Sequence, residues 1–250
     1  LIRTALIYDV HCPFHNKPAY ELALDYLLSL KPRVNQVILG GDFVDFHKIS
    51  FWKNAVRMSF EEEVMECRQE LKKLKQRFYR RDIIYLEGNH EQRLHKYNIE
   101  KNEDLAYRNG IQDVLGLKKR RITYVSNIDR MCAGKAPLRL GKLYVLHGHE
   151  KKVSFGAINL ARLYYTRSKT NVIAGHHHKS DYTLVKKLDG KHEGAWTVGT
   201  LGQLSEPYQP INDWNWGFAF VDHDEVTGDF EVHNKIILPA SDGKLRVVNG

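Results

Sequence analysis

Short apolar runs recur along the chain, and most of them stop at a glycine, an aspartate or a histidine. The run Thr4-Ala5-Leu6-Ile7-Tyr8 predicts a buried strand ending at Asp9. Residues 18–30, rich in Leu, Ala and Tyr, predict a helix, and Gln36-Val37-Ile38-Leu39 a second strand running into Gly40-Gly41-Asp42. Ser59 and Glu62 stand at the spacing of a capping box. Behind them Val64, Cys67, Leu71, Leu74 and Phe78 advance by threes and fours, which marks one apolar helix face, with Lys72, Lys73, Lys75 and Arg77 opposite. Asp82-Ile83-Ile84-Tyr85-Leu86 is a third strand, ending at Gly88-Asn89-His90. Residues 91–141 are less regular and only helical in places. Leu143-Tyr144-Val145-Leu146 predicts a fourth strand ending at His147, residues 155–165 a helix, and Asn171-Val172-Ile173-Ala174 a fifth strand ending at Gly175-His176. Beyond it the pattern turns β-rich over 181–188, 195–198, 217–221 and 229–237, with Asp189-Gly190 and Thr227-Gly228 as turns. Alternation early and hairpins late predict a layered α/β domain. With no repeat, low-complexity tract or linker, a single domain over residues 1–250 is the expectation.

The chemistry is concentrated where the strands stop. The five strand ends carry Asp9-x-His11, Gly41-Asp42-x-x-Asp45, Gly88-Asn89-His90-Glu91, His147-Gly148-His149 and Gly175-His176-His177-His178. Open α/β sheets gather their sites outside the carboxyl ends of their strands, so this placement brings Asp, Asn and His to one rim. A core has no use for such groups, because burying them unpaired is costly. The glycines before Asp42, Asn89 and His176 suit sharp turns and close backbone approach. Two carboxylates, an amide and four histidines supply oxygen and nitrogen ligands for two ions if one carboxylate bridges. That donor set, free of cysteine, suits Mn²⁺, Fe or Zn²⁺. Two ions about 3.5–4 Å apart can activate water and clamp a phosphoryl group.

This ordered set, D-x-H, G-D-x-x-D, G-N-H-E, H-G and G-H-x-H, closely resembles the calcineurin-like metallophosphoesterases, over about two-thirds of the chain from Asp9 to His178. The resemblance implies a four-layer α/β/β/α sandwich of two mixed sheets with two metals at one rim. It implies that Asp9, His11 and His178 hold one ion, that Asn89, His147 and His176 hold the other, and that Asp42 bridges. His90 then stands outside the metal shell, near the leaving-group oxygen, where it stabilises the transition state or donates a proton, while a hydroxide between the metals attacks phosphorus in line. The expected cofactor is a pair of divalent ions, Mn²⁺ first, with Fe or Zn²⁺ as alternatives.

The neighbours of these motifs are assigned smaller parts. Asp45 is expected to orient a ligand histidine, Glu91 to do likewise, and Arg93 and His149 to support the site or touch substrate. His177 is expected to point away, His15 and His47 to be structural or substrate-facing, and Cys12 to be a packed thiol. Residues 92–146 form the variable segment, a cap or clamp or dimer surface, and together with 179–250 they are expected to set the substrate. Arg93, the run Lys118 to Arg121, Lys151, Lys152 and Arg167 are candidates for a phosphate-binding surface. Trp214 and Trp216, near Tyr208, are candidates for stacking a base or sugar.

Composition narrows the partner more than the fold. The formal net charge is +8, which suits a polyanion such as DNA or RNA. The three cysteines, Cys12, Cys67 and Cys132, are too few and scattered for a disulfide framework, and they suit reduced thiols in the cytoplasm. No apolar run is long enough for a membrane span. The expected substrate is therefore a phosphodiester of nucleic acid or nucleotides. A phosphomonoester, on a protein or a small molecule, is the alternative, and a non-catalytic nucleic-acid scaffold of the same fold is a third reading.

Overall fold

The computed structural model of the chain describes residues 1–51, 57–101, 110–151, 153, 159–205 and 210–250. Its strands in chain order are β1 (Ile2–Ile7), β2 (Gln36–Leu39), β3 (Asp82–Leu86), β4 (Ile122–Val125), β5 (Arg139–Leu140), β6 (Leu143–Val145), β7 (Val172–Ala174), β8 (Asp181–Lys186), β9 (His192–Thr197), β10 (Trp216–His223), β11 (Phe230–Pro239) and β12 (Leu245–Asn249). They form a seven-stranded sheet in the order β12-β11-β10-β1-β2-β3-β4 and a five-stranded sheet in the order β5-β6-β7-β9-β8. Strands β1 to β4 run parallel, as crossover connections demand, and the late hairpin strands β10 to β12 extend that sheet antiparallel. The second sheet is mixed in the same way: β6, β7 and β9 are parallel, and β5 and β8 are antiparallel edges.

The two-residue period of the strands sorts the core into layers. On β1, Leu6 and Tyr8 point between the sheets, whereas Ala5 and Ile7 point toward the helices. Ile38 of β2 repeats this against Val37 and Leu39. Across the gap Leu143, Val145 and Ile173 face the first sheet. Val172 and Ala174 turn outward to Leu160, Ala161 and Tyr164 of the helix Leu160–Ser168. On the other side of the molecule lie α1 (Lys17–Ser29), α2 (Phe60–Arg77) and α3 (Asn89–Lys101), which present Ala23, Leu24 and Leu27, then Cys67, Leu71 and Leu74, then Leu94. Three apolar seams therefore separate four layers, α/β/β/α, as the motif resemblance implies.

Local signals explain the helix starts. Asn16 accepts the Ala19 N–H ahead of α1, and Ser59 and Glu62 complete the reciprocal capping box ahead of α2. Three strands lie where the pattern predicted none. Strands β4 and β5 fall in the irregular 91–141 stretch, and β12 follows the last predicted run. Strands β5 and β12 are sheet edges, exposed on one side, and so carry little apolar signal. The described helix begins at Leu160, and the first part of the predicted helix, residues 155–158, lies outside the described residues. No helix among the described residues is long and apolar enough to cross a membrane.

Candidate metal centre

Five strand ends converge on one rim, and the backbone there is bent for the purpose. Asp9, His11, Asp42, His176 and His178 all adopt positive φ, between 50° and 70°. Such values are uncommon for residues with a side chain and cluster at functional sites. They re-aim each side chain away from the alternation of its strand and toward a common centre. The intervening glycines leave the space. A Cβ on Gly88 would stand 2.2 Å from Asp42 Oδ1, one on Gly175 would stand 2.5 Å from Asp9 Oδ2, and one on Gly41 (φ 96°) would stand 2.5 Å from His147 Nδ1.

The donors fall into groups with ligand atoms within 4.8 Å of one another. Asp9, His11 and His178 form one, and Asp42, His147 and His176 form another. His11 Nε2 and His178 Nε2 face each other at 3.2 Å, with Asp9 Oδ1 3.6 Å from the latter. In the second group His147 Nε2 lies 3.0 Å from Asn89 Oδ1 and 3.3 Å from Asp42 Oδ2. Asp42 also groups with His11 and His90, so its carboxylate stands between the two halves. His147 Nδ1–H donates to the Gly40 carbonyl at 3.0 Å, which fixes the tautomer and leaves the Nε2 lone pair facing the centre.

The electrostatics of these residues fit a cation. Asp9 Oδ1 is buried with no hydrogen-bond partner, a costly state for a carboxylate oxygen unless a positive charge meets it. Burial opposes the charge on Asp42, yet His147 and His90 outweigh it and hold the carboxyl well below the usual range. Burial likewise opposes a charge on His147, yet Asp42, Asp9 and Glu150 raise it to about 10. The carboxylates thus draw positive charge into a buried site, and the all-nitrogen-and-oxygen donor set is one that divalent Mn, Fe or Zn accepts. His176 is pushed well below its ordinary value by burial and by His147, which keeps its ring neutral and its lone pair available.

The supporting residues are mostly backbone clamps. Asp45 Oδ2 lies 3.4 Å from His11 Nδ1, the position from which it orients that ring. Glu91 acts differently from the expectation. Instead of orienting a histidine, its buried carboxylate accepts the N–H groups of Gly88 (2.8 Å), Asp42 (2.9 Å) and Phe43 (3.0 Å) and the Tyr85 hydroxyl (2.7 Å). It therefore ties the Asp42 turn to the Gly88-Asn89 turn. Burial and the Asp42 charge push that carboxyl up, to about 7, while Tyr85 and the backbone donors draw it down. Glu150, which the sequence reading passed over, does the same for the fourth turn. It accepts from His147 N (3.1 Å) and Gly148 N (2.7 Å), and its Oε1 also takes Asn127 Nδ2 at 3.0 Å. The signal was available: each glutamate accepts an N–H three residues before it, Gly88 for Glu91 and His147 for Glu150. The Asp9 turn is held by Thr200 Oγ1, Leu201 N and Gly202 N, all donating to the Asp9 carbonyl.

Other expected participants are sorted by position. His177 turns away, with Nδ1 3.0 Å from the Tyr164 hydroxyl and Nε2 toward the Val153 carbonyl. His149 packs its ring against His147, centroids 5.2 Å apart, but belongs to none of the donor groups. Cys12 is buried in the core and accepts the Cys67 thiol at its carbonyl. His47 is paired to the buried Glu63 at 2.7 Å, and His15 packs edge-on to Tyr20. Arg93 reaches the site, as described below. The run Lys118 to Arg121 does not, since it precedes β4 and so sits at the opposite end of the parallel strands. Arg120 there is spent on the carbonyls of Leu115, Gly116 and Arg68. Arg167 likewise closes the helix before β7, away from the rim. Lys151 stands two residues beyond His149, in the turn after β6, and Lys152 lies outside the described residues. Trp214 packs its ring on His178, centroids 4.5 Å apart, at the mouth of the first donor group. Trp216 is structural, its Nε1–H donating to the Gly202 carbonyl, and Tyr208 lies outside the described residues.

Comparison with known proteins agrees with this arrangement. A family model described as calcineurin-like phosphoesterase matches residues 2–194. No curated protein matches the chain by sequence. Among solved structures the chain is similar to that of Chaetomium thermophilum Vps29, at 9% identity and a TM-score of 0.47, covering 100% of this chain and 96% of that one.

Proposed function

Since the chain belongs to the calcineurin-like phosphoesterase family, we propose that it hydrolyses phosphate esters at a two-metal centre, with phosphodiesters of nucleic acid or nucleotides as the substrate class. The observation that carries the reading is the shared carboxylate. Asp42 stands between the Asp9–His11–His178 side and the Asn89–His147–His176 side, within ligand reach of both. Two divalent ions held there, Mn²⁺ by preference, would supply Lewis-acid charge and make water nucleophilic at neutral pH.

The chain's own residues do the rest. Asp9, His11 and His178 hold one ion, Asn89, His147 and His176 the other, and Asp42 spans them. Gly40 and Asp45 fix the orientation of His147 and His11. Glu91 and Glu150 hold the turns that carry the ligands, so the site is organised before substrate arrives. The diester preference draws on the net charge of +8 and on Trp214 beside His178, where a base or sugar would stack. The experiment is hydrolysis of bis-p-nitrophenyl phosphate against p-nitrophenyl phosphate, in Mn²⁺ and in EDTA. Metal-dependent turnover favouring the diester supports the proposal. Preference for the monoester moves the substrate class to phosphomonoesters, and inertness toward both with two ions bound refutes hydrolysis.

A further inference from the structure

His90 stands beside the bridging carboxylate, Nε2 3.6 Å from Asp42 Oδ2, and its two ring nitrogens have partners of fixed character. Nδ1 lies 2.8 Å from the Asp45 backbone carbonyl. A carbonyl can only accept, so Nδ1 carries the hydrogen. Nε2 lies 2.7 Å from Arg93 Nη2, and a guanidinium can only donate, so Nε2 carries the lone pair. The ring is therefore neutral, and its one hydrogen points away from the centre. A histidine held in this way has no proton at Nε2 to give to a leaving oxygen. The positive charge at that position belongs to Arg93.

Arg93 is built in rather than loosely placed. It lies one turn into α3 from His90, and its side chain is 22% exposed. Its Nη1 donates to the same Asp45 carbonyl at 2.8 Å, with Asp45 Oδ1 at 3.8 Å. Two atoms of the fork are thus anchored, one on the backbone and one on the ring. The guanidinium is always charged and its planar fork matches phosphate oxygens.

Building on the phosphoesterase reading, we propose that Arg93, positioned by neutral His90, is the catalytic residue that neutralises the leaving-group oxygen. When the P–O ester bond breaks, its electron pair goes to the leaving oxygen. Arg93 compensates that charge by hydrogen bonding, and the proton comes afterwards from solvent water. His90 is then a positioning residue for Arg93, not the acid.

The test compares Arg93→Ala, Arg93→Lys and His90→Ala in Mn²⁺-loaded protein, on a p-nitrophenyl diester and on an alkyl diester with a poorer leaving group. Arg93→Ala is expected to keep both metals by elemental analysis. It is expected to lose about 10²- to 10³-fold in kcat on the alkyl ester and distinctly less on the p-nitrophenyl ester. Added guanidinium is expected to restore part of the loss, a response that a folding defect does not give. Nitrogen-15 NMR of His90 in the metal-loaded wild type is expected to show the Nδ1–H tautomer. An Nε2–H or doubly protonated ring overturns the proposal, as does equal loss on both esters with no rescue. If the wild type turns over neither ester, the phosphoesterase reading falls and inorganic phosphate decides the inference alone. Tenfold weaker phosphate binding in Arg93→Ala sustains the anion role, and unchanged binding overturns it.

Discussion

Glu91→Gln tests whether the centre is held by its turns or only decorated by its ligands. The Glu91 side chain is 1% exposed and receives Gly88 N, Asp42 N, Phe43 N and the Tyr85 hydroxyl, with Val44 N more distant at 3.4 Å. Glutamine keeps the shape but replaces one acceptor oxygen with a donor amide. If the oxygen stays with Gly88 and Asp42, the amide faces the Phe43 N–H, donor against donor. Tyr85 can rotate its hydroxyl to accept, so one buried N–H is stranded outright and one charge-assisted set is weakened. A stranded buried group costs about 1–3 kcal/mol, and weakening bonds to a charge adds about 1 kcal/mol, giving roughly 3 kcal/mol in all. For a chain of this size that is a fall of about 6–12 °C in Tm. The measurement is thermal and urea unfolding of metal-free protein, followed by Mn²⁺ titration of both variants. The second readout matters because the mutation leaves every ligand in place: the Mn²⁺ affinity is expected to drop because Asp42 and Asn89 lose their common tie. A Tm within about 2 °C of wild type, with unchanged Mn²⁺ affinity, refutes the view that this carboxylate organises the centre.

Four further outcomes follow from the same geometry. Asp42→Asn is expected to lose both metals by elemental analysis, because the residue between the two halves keeps its size but loses its charge; retention of both ions refutes the bridging role. Gly88→Ala is expected to lower Tm more than Glu91→Gln, since its Cβ meets Asp42 backbone N at 2.4 Å as well as Oδ1, and backbone cannot step aside; a neutral result in calorimetry counts against the close approach of these turns. EDTA is expected to lower Tm and Mn²⁺ to restore it in proportion to ln[Mn²⁺], whereas Asp9→Ala should blunt that response, because ions bind only the folded state. Burial raises Glu63 to about 8, so between the ordinary carboxylate value and pH 8 the folded chain holds a proton that the unfolded chain has released. Stability is then expected to fall as pH rises through that window, and urea unfolding of Glu63→Gln should show that slope removed.

Most of the fold was legible because both faces of the parallel strands are buried. Ala5, Leu6, Ile7 and Tyr8 form an unbroken apolar run precisely where β1 is covered on one side by helices and on the other by the second sheet. The same logic failed at β5 and β12, where an edge strand needs only a few buried positions, and at β4, whose burial alternates over just four residues. The ligand positions were legible because polar residues at the ends of such runs have no place in a core. What the sequence could not display was the support. Glu91 and Glu150 act on backbone N–H groups, and a backbone donor has no letter in the sequence. Arg93 was listed only as a neighbour, because its meaning depends on the partner at each ring nitrogen of His90, a relation that exists only in three dimensions.

The same contrast explains why the rim is strained while the strands beneath it are regular. A strand delivers a side chain every second residue to one face, and that spacing cannot converge seven donors on two points. Left-handed residues at Asp9, His11, Asp42, His176 and His178 break the alternation at the last moment, each at a cost of order 1–3 kcal/mol. Those costs persist only where the surroundings over-determine the backbone. Asp9 is fixed through its carbonyl by Thr200, Leu201 and Gly202, and Asp42 through its N–H by Glu91. His176 is fixed through its N–H by Asp9 Oδ2 at 2.8 Å. Two of the ligands thus hold each other: the Asp9 oxygen that clamps His176 is the one not facing the centre, and the other oxygen is the one left unpartnered. One carboxylate serves as backbone clamp and as ligand at once, which couples the two halves of the centre before any ion arrives.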